Sequence, residues 1–178
     1  MNRIITSKEE ILSQCKEMFV EEGVVSLSIR NVALACNVSI GTIYNYFDSK
    51  SELIDAVIES IWSEIFHHQE KMETISECIE WLYDCIDYGN TKFPGFFTFH
   101  SFGDKDYGKE RMENMWNHIL ASLESILEKD EHIRKNAFNE QCTPRQYASM
   151  IFSIFLADMI RHETNKKVLL EIIQRTLY

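Results

Sequence analysis

The chain has 178 residues, of which 45% are hydrophobic and 12% aromatic, enough to bury a core in one domain or in a small domain followed by a larger one. Its formal net charge is −10, and two prolines and six glycines supply too little turn material for a fold of many short strands. An all-α protein is expected. The longest apolar stretch, 147–160, is interrupted by Ser149, Ser153 and Asp158 and is too short to span a bilayer. The opening "MNRIITSKEE" has no apolar signal region, so a soluble cytoplasmic protein is expected.

Helices are expected to begin at capping boxes, where a hydroxyl and a carboxylate three residues later satisfy each other's backbone N–H groups. Ser7 precedes Glu10, Ser49 precedes Glu52 and Thr74 precedes Glu77. The first helix carries Ile11, Leu12, Cys15, Phe19 and Val20 and stops at Gly23. Two short helices follow at 29–36 and 39–46, then a long one over 50–71 with Leu53, Val57, Ile61 and Ile65 four apart. The next runs from Thr74 to about Tyr88 and is broken by "NTKFPG". An amphipathic helix over 107–129, a polar stretch over 130–142, and helices over 144–162 and 165–177 complete the chain, Pro144 suiting a first turn.

Cys15, Cys36, Cys78, Cys85 and Cys142 form no CxxC pair and are odd in number, which favours buried free thiols over a metal or redox site. His67 and His68 face two directions on a helix and make a poor chelate. No metal, cofactor or catalytic residue is expected: there is no paired ExxH motif, no Gly-rich phosphate loop and no nucleophile elbow.

The informative segment is "SIRNVALACNVSIGTIYNYFDSK", Ser28 to Lys50. Ser28 caps the first short helix, whose Val32 and Ala33 face inward, and Ala33 lets a second helix cross closely. The chain must then turn sharply, and Asn37 is the residue best able to take a positive φ there. Ser39 caps the second helix, which Ile43 and Phe47 hold to the core. Ile40, Gly41, Thr42, Tyr44, Asn45 and Tyr46 remain outward, a helix-turn-helix pattern suited to the major groove.

The same residues resemble the signature of the TetR/AcrR family of repressors. There a Thr-Val-Arg-Asp-Ile-Ala helix is followed by Ala-Gly-Val-Ser-x-Gly-Thr-Leu-Tyr-x-Tyr-Phe and a lysine-bearing fourth helix. The resemblance covers about the first 65 residues. It implies a helix-turn-helix DNA-binding domain over 5–65 and a helical ligand-binding and dimerisation domain over 66–178. Three departures stand out: Cys36 replaces the usual alanine, Asn37 the usual glycine, and Ile40 stands where a lysine or arginine is common. Ile40 either touches a thymine methyl or packs at the helix edge.

A DNA-binding role must be reconciled with the acid. Residues 1–50 hold five cations, Arg3, Lys8, Lys16, Arg30 and Lys50, against six carboxylates, a net of −1, and the remaining 128 residues hold −9. Hydroxyls must therefore do much of the phosphate positioning. The expected DNA-contacting set is Ser28, Arg30, Ser39, Ile40, Gly41, Thr42, Tyr44, Asn45, Tyr46 and Lys50. The resemblance implies that Tyr44, Tyr46 and Lys50 clamp the backbone, while Thr42 and Asn45 suit base edges and Arg30 suits phosphate or guanine.

A two-turn reader needs a two-fold partner across a palindrome. The helix over 144–162 is apolar nearly all round, and Ser149, Ser153 and Ala157 form a stripe that admits a neighbouring helix. The expected homodimer surface is Ser149, Phe152, Ser153, Leu156, Ala157, Leu169 and Ile173, and the resemblance implies a four-helix bundle between two chains. Trp62, Phe66, Trp81, Phe97, His100, Met115 and Trp116 are the candidates for an apolar or aromatic small-molecule effector, with core packing the alternative for each. The function expected is a ligand-released repressor of transcription, with the helix over 50–71 linking sensor to reader. Alternatives are a DNA-binding protein of this fold that acts on a protein partner, and a helical small-molecule carrier without DNA binding.

Overall fold

The computed structural model describes residues 7–67, 72–97 and 109–178. Among them are eight α-helices: α1 (Lys8–Glu22), α2 (Ile29–Ala35), α3 (Ile40–Tyr44), α4 (Lys50–Ile65), α5 (Ile75–Lys92), α6 (Lys109–Lys129), α7 (Pro144–Arg161) and α8 (Lys166–Leu177). A 3-10 turn, Val24–Ser26, joins α1 to α2. None of the described helices is long and apolar enough to cross a membrane.

The helix starts follow their caps. Ser7 Oγ accepts from Glu10 N–H at 3.1 Å and Glu10 returns to Ser7 N–H, closing a capping box. Thr74 and Glu77 reciprocate in the same way, and Glu77 also accepts from Glu73 N–H at 2.9 Å. Ser49 accepts from Glu52 N–H, but the Glu52 carboxylate reaches one residue further back, to Asp48 N–H. A box that the sequence pattern did not single out, Thr143 with Gln146, starts α7, with Pro144 at its first turn.

Two helix ends differ from expectation by more than two residues. Helix α4 stops at Ile65 rather than 71, and residues 68–71 lie outside the described ones. Helix α5 continues through Asn90, Thr91 and Lys92 and gives way only at Phe93. Proline disfavours helical geometry in the residue before it, so Pro94 places the break at Phe93, and Gly95 completes the turn with φ 80°.

The chain forms two compact units. The first comprises 1–65 and 90–111, the second 66–89 and 112–178. In the first unit, Ile11, Cys15 and Phe19 of α1, Val32 and Ala33 of α2, Ile43 and Phe47, and Leu53, Val57 and Ile61 of α4 are buried together with Phe93, Phe96 and Phe97. Phe96 is the hub of its aromatic part, edge-on to Trp62 at 5.2 Å and to Phe19 at 5.8 Å between ring centroids.

The second unit buries Ile75, Ile79 and Leu82 of α5, Leu123 and Leu127 of α6, Ile151 and Phe155 of α7, and Leu169, Ile173 and Leu177 of α8. Among its described residues two carboxylates are buried, Asp130 and Asp158. Asp158 accepts from Tyr83 Oη at 2.5 Å, from Asn165 N–H at 2.9 Å and from Asn165 Nδ2 at 2.7 Å, tying the α7–α8 corner to α5. Beside it, His162 ends α7 in the left-handed conformation, and Lys166 pairs with Asp84 at 2.8 Å. The last residue is held as well, Tyr178 Oη donating to Asp130 and Arg134 N–H to the Leu177 carbonyl.

Four of the five thiols, those of Cys15, Cys36, Cys78 and Cys85, are buried. Burial pushes Cys15, Cys78 and Cys85 up to about 12, so they are protonated and unreactive at neutral pH.

Candidate nucleic-acid interface

The reading element is built on its anchors. Ser28 Oγ accepts from Asn31 N–H at 3.1 Å to start α2, and Asn31 Nδ2 donates to the Ser26 carbonyl at 3.0 Å, fixing the entry into the helix. Val32 and Ala33 are buried, and the chain leaves α2 through Asn37 at φ 54°. The side chain of asparagine tolerates this left-handed geometry better than most residues, which is how the turn forms without the usual glycine. Val38 N–H then donates to the Ala33 carbonyl at 2.9 Å and closes the turn.

Ser39 starts α3 with its hydroxyl accepting from Thr42 N–H at 3.1 Å and lying 2.9 Å from Thr42 Oγ1. The five-residue helix is held down by Ile43, fully buried, and by Phe47 just beyond it. Lys8 Nζ lies 5.2 Å from the centroid of the Phe47 ring, a cation–π contact that steadies this plug from α1.

With Ile43 and Phe47 inward, helical geometry turns the rest of α3 outward. Ile40 is 47% and Tyr44 50% exposed, one turn apart on the same face, with Gly41 and Asn45 exposed beside them. Thr42 and Tyr46 are half-buried, and Arg30 and Lys50 are exposed. All ten expected DNA-contacting residues thus keep at least part of a side chain, or for Gly41 its backbone, outside the unit's core, although the Ser39 hydroxyl is engaged by Thr42. Lys16, counted among the few cations, is spent on Glu64 within the unit.

The expected effector residues are divided between the two units. Trp62 and Phe97 are buried in the first unit's aromatic core, with ring centroids 5.6 Å apart. Phe66 and Trp81 meet edge-on at 6.1 Å in the second unit, where Trp116 meets Phe152 at 6.3 Å and Met115 is half-buried. His100 lies outside the described residues. A cavity of about 730 Å³ in the second unit is lined by none of the seven; its walls are Met72, Thr74, Ser122 and Ile126 with Glu73, Glu77, Asp130 and Glu131.

The expected dimer residues divide by burial. Ser149 and Ser153 are exposed, Leu156 and Ala157 half-buried. Phe152, Leu169 and Ile173 are 4%, 1% and 0% exposed, packed within the unit itself. The apolar side chains that α7 and α8 do expose are Met150, Ile160, Val168 and Ile172. The Leu169–Ile173–Leu177 face of α8 is buried within its own chain, a covering that helical spacing alone does not reveal.

Residues 7–57 match the family model described as "Bacterial regulatory proteins, tetR family". Over 52 residues the chain is 38% identical to the HTH-type transcriptional regulator UidR of Escherichia coli strain K12, a match that covers 29% of this chain and 26% of that protein. The whole fold has counterparts among solved structures. BioQ in complex with its double-stranded DNA operator superposes with a TM-score of 0.60 at 16% identity, covering 95% of this chain and 91% of BioQ. The reduced form of E. coli NemR superposes with a TM-score of 0.66 at 13% identity, covering 96% and 97%. Identities this low establish a shared fold and nothing finer.

Proposed function

We propose that this chain, whose residues 7–57 match the model of the tetR family of bacterial regulatory proteins, is a DNA-binding regulator of transcription and not an enzyme. The observation that carries the reading is the outward face of α3. Its inner residues Ile43 and Phe47 are fixed in the core, while Ile40, Gly41, Tyr44 and Asn45 stand free of the protein's own packing. Such a helix, entered through a tight turn from a capped partner helix, is shaped to lie in the major groove.

Phosphate positioning falls to Ser28, Tyr44, Tyr46, Arg30 and Lys50, neutral donors outnumbering cations. The protein acts as a homodimer on a palindromic site, with Ser149, Met150, Ser153, Ile160, Val168 and Ile172 on the pairing surface. Their exposure supports this, since a lone chain gains nothing from leaving that much apolar surface in water.

Repression relieved by a small apolar or aromatic effector completes the proposal. Phe66, Trp81, Met115 and Trp116, half-buried in the second unit, are the side chains that would meet it. The test is titration of the full chain against DNA from upstream of its own reading frame, with excess unrelated duplex present. Binding that survives the competitor supports the reading. Binding that the competitor removes completely leaves only nonspecific attraction, and the regulator reading fails.

A further inference from the structure

The reading helix of this protein has no charged side chain from Ser39 through Phe47. That matters because the commonest sequence-specific contact in the major groove is a bidentate Arg or Lys on guanine O6 and N7, and α3 has neither. What it exposes is an apolar and aromatic ridge, Ile40 and Tyr44 one helical turn apart.

Gly41, between them, adds a second observation. A Cβ built there meets only Ser39 Oγ at 3.6 Å, an ordinary contact, and Gly41 is not among the residues of positive φ. Its own fold therefore does not require glycine, although glycine in a helix costs about 0.5–1 kcal/mol relative to alanine. A bare backbone beside two projecting side chains is the shape for close approach by an outside surface. Thr42 is restrained by its bond to Ser39, which leaves Ile40 as the outermost side chain on the first turn.

We infer that Ile40 is a specificity-determining residue of this regulator and reads the C5-methyl group of a thymine in each half of the operator. This rests on the DNA-binding reading above and names what its first helical turn recognises. The major-groove edge of an A·T pair is distinguished there by that methyl, and an exposed β-branched aliphatic side chain is its complement. A guanine at the same position would present O6 and N7 to a side chain that cannot donate, leaving both acceptors unpaired.

The experiment removes the methyl alone. A random duplex library is selected on the full-length protein, and the most enriched duplex is resynthesised with deoxyuridine replacing thymine, one symmetric pair of positions at a time. Fluorescence anisotropy then gives affinity for the wild type, Ile40→Ala and Ile40→Val. Wild type should bind about fourfold more weakly for each contacted methyl removed, the factor expected for one buried methyl-sized group. Ile40→Ala should bind the thymine and uracil duplexes alike, and Ile40→Val should retain most of the difference. Equal wild-type affinity for every substituted duplex overturns the inference, and so does discrimination that persists in Ile40→Ala. If no sequence is enriched at all, the DNA-binding reading itself is overturned, an outcome distinct from both.

Discussion

Asp158 offers the sharpest test of how the second unit is held. It is 3% exposed and accepts three hydrogen bonds, from Tyr83 Oη and from the backbone and side chain of Asn165. In Asp158→Ala the Asn165 donors, which lie at an exposed residue, turn to water. Tyr83 is 2% exposed and has no such recourse, and an unpaired buried donor costs about 1–3 kcal/mol. With the lost charge-assisted bonds, Asp158→Ala should destabilise by about 2–4 kcal/mol, a fall in Tm of about 4–16 °C for a chain of this size. Tyr83→Phe removes one of the three bonds and leaves the others, so about 1–2 kcal/mol is expected. The double variant should cost less than the sum, because once Asp158 is gone the hydroxyl is itself a liability.

The pH dependence has a definite sign. Burial would push the Asp158 carboxyl up, but the bonds from Tyr83 and Asn165 and the nearby Arg161 hold it below the usual aspartate range. A depressed folded-state value gives stability that is present above the unfolded aspartate pKa of about 3.9 and lost as pH falls through the folded one. The gap between wild type and Asp158→Asn should thus be full near neutrality and close below about pH 4. Urea unfolding followed by tryptophan fluorescence, at fixed protein concentration, measures all of this. A cost for Asp158→Ala within about 0.5 kcal/mol of zero, the range of ordinary surface changes, refutes the role assigned to this carboxylate.

Three other expectations concern the interface residues. Ser153→Arg places a long cation on the exposed face of α7 and should shift the protein from dimer to monomer in sedimentation velocity; an unchanged dimer locates pairing elsewhere. Lys50→Ala should weaken binding to all sequences by a similar factor and lower the salt slope by about one contact, and altered base preference at constant slope would contradict its phosphate role. Asn37→Val forces a β-branched residue to φ 54° and should destabilise the first unit by about 1–2 kcal/mol, while Asn37→Gly should leave it unchanged or more stable in thermal unfolding.

Local signals in the sequence survive into the structure where the physics is local. Ser7 with Glu10, Ser28, Ser39 and Thr74 with Glu77 cap the helices they were assigned, because each cap needs only residues within one turn. Asn37 is legible for the same reason: the turn length and the residue type together require its positive φ. Long-range packing is not written that way. Trp62 and Phe97 have the composition of pocket residues, yet both pack on Phe96, which itself meets Phe19, in a core, and periodicity cannot separate the two cases. Likewise Asp158 reads as a mere interruption of the apolar run in α7, since the hydroxyl that satisfies it is on Tyr83, 75 residues earlier. Phe152, Leu169 and Ile173 read as available apolar positions in helices taken alone, yet the chain's own helices bury them, because covering by distant elements decides which apolar stripe is left over.

The central claim is that the outward face of α3 lies against DNA, and Gly41→Leu tests it most directly. A Cβ at this exposed position makes only an ordinary contact with Ser39 Oγ, at 3.6 Å, so the variant should keep its circular dichroism and its thermal midpoint. Its affinity for the selected duplex should nevertheless fall to the level of unrelated DNA, because the new side chain stands where the bases must approach. A folded Gly41→Leu protein that binds the selected duplex as the wild type does would show that α3 is not the reading surface.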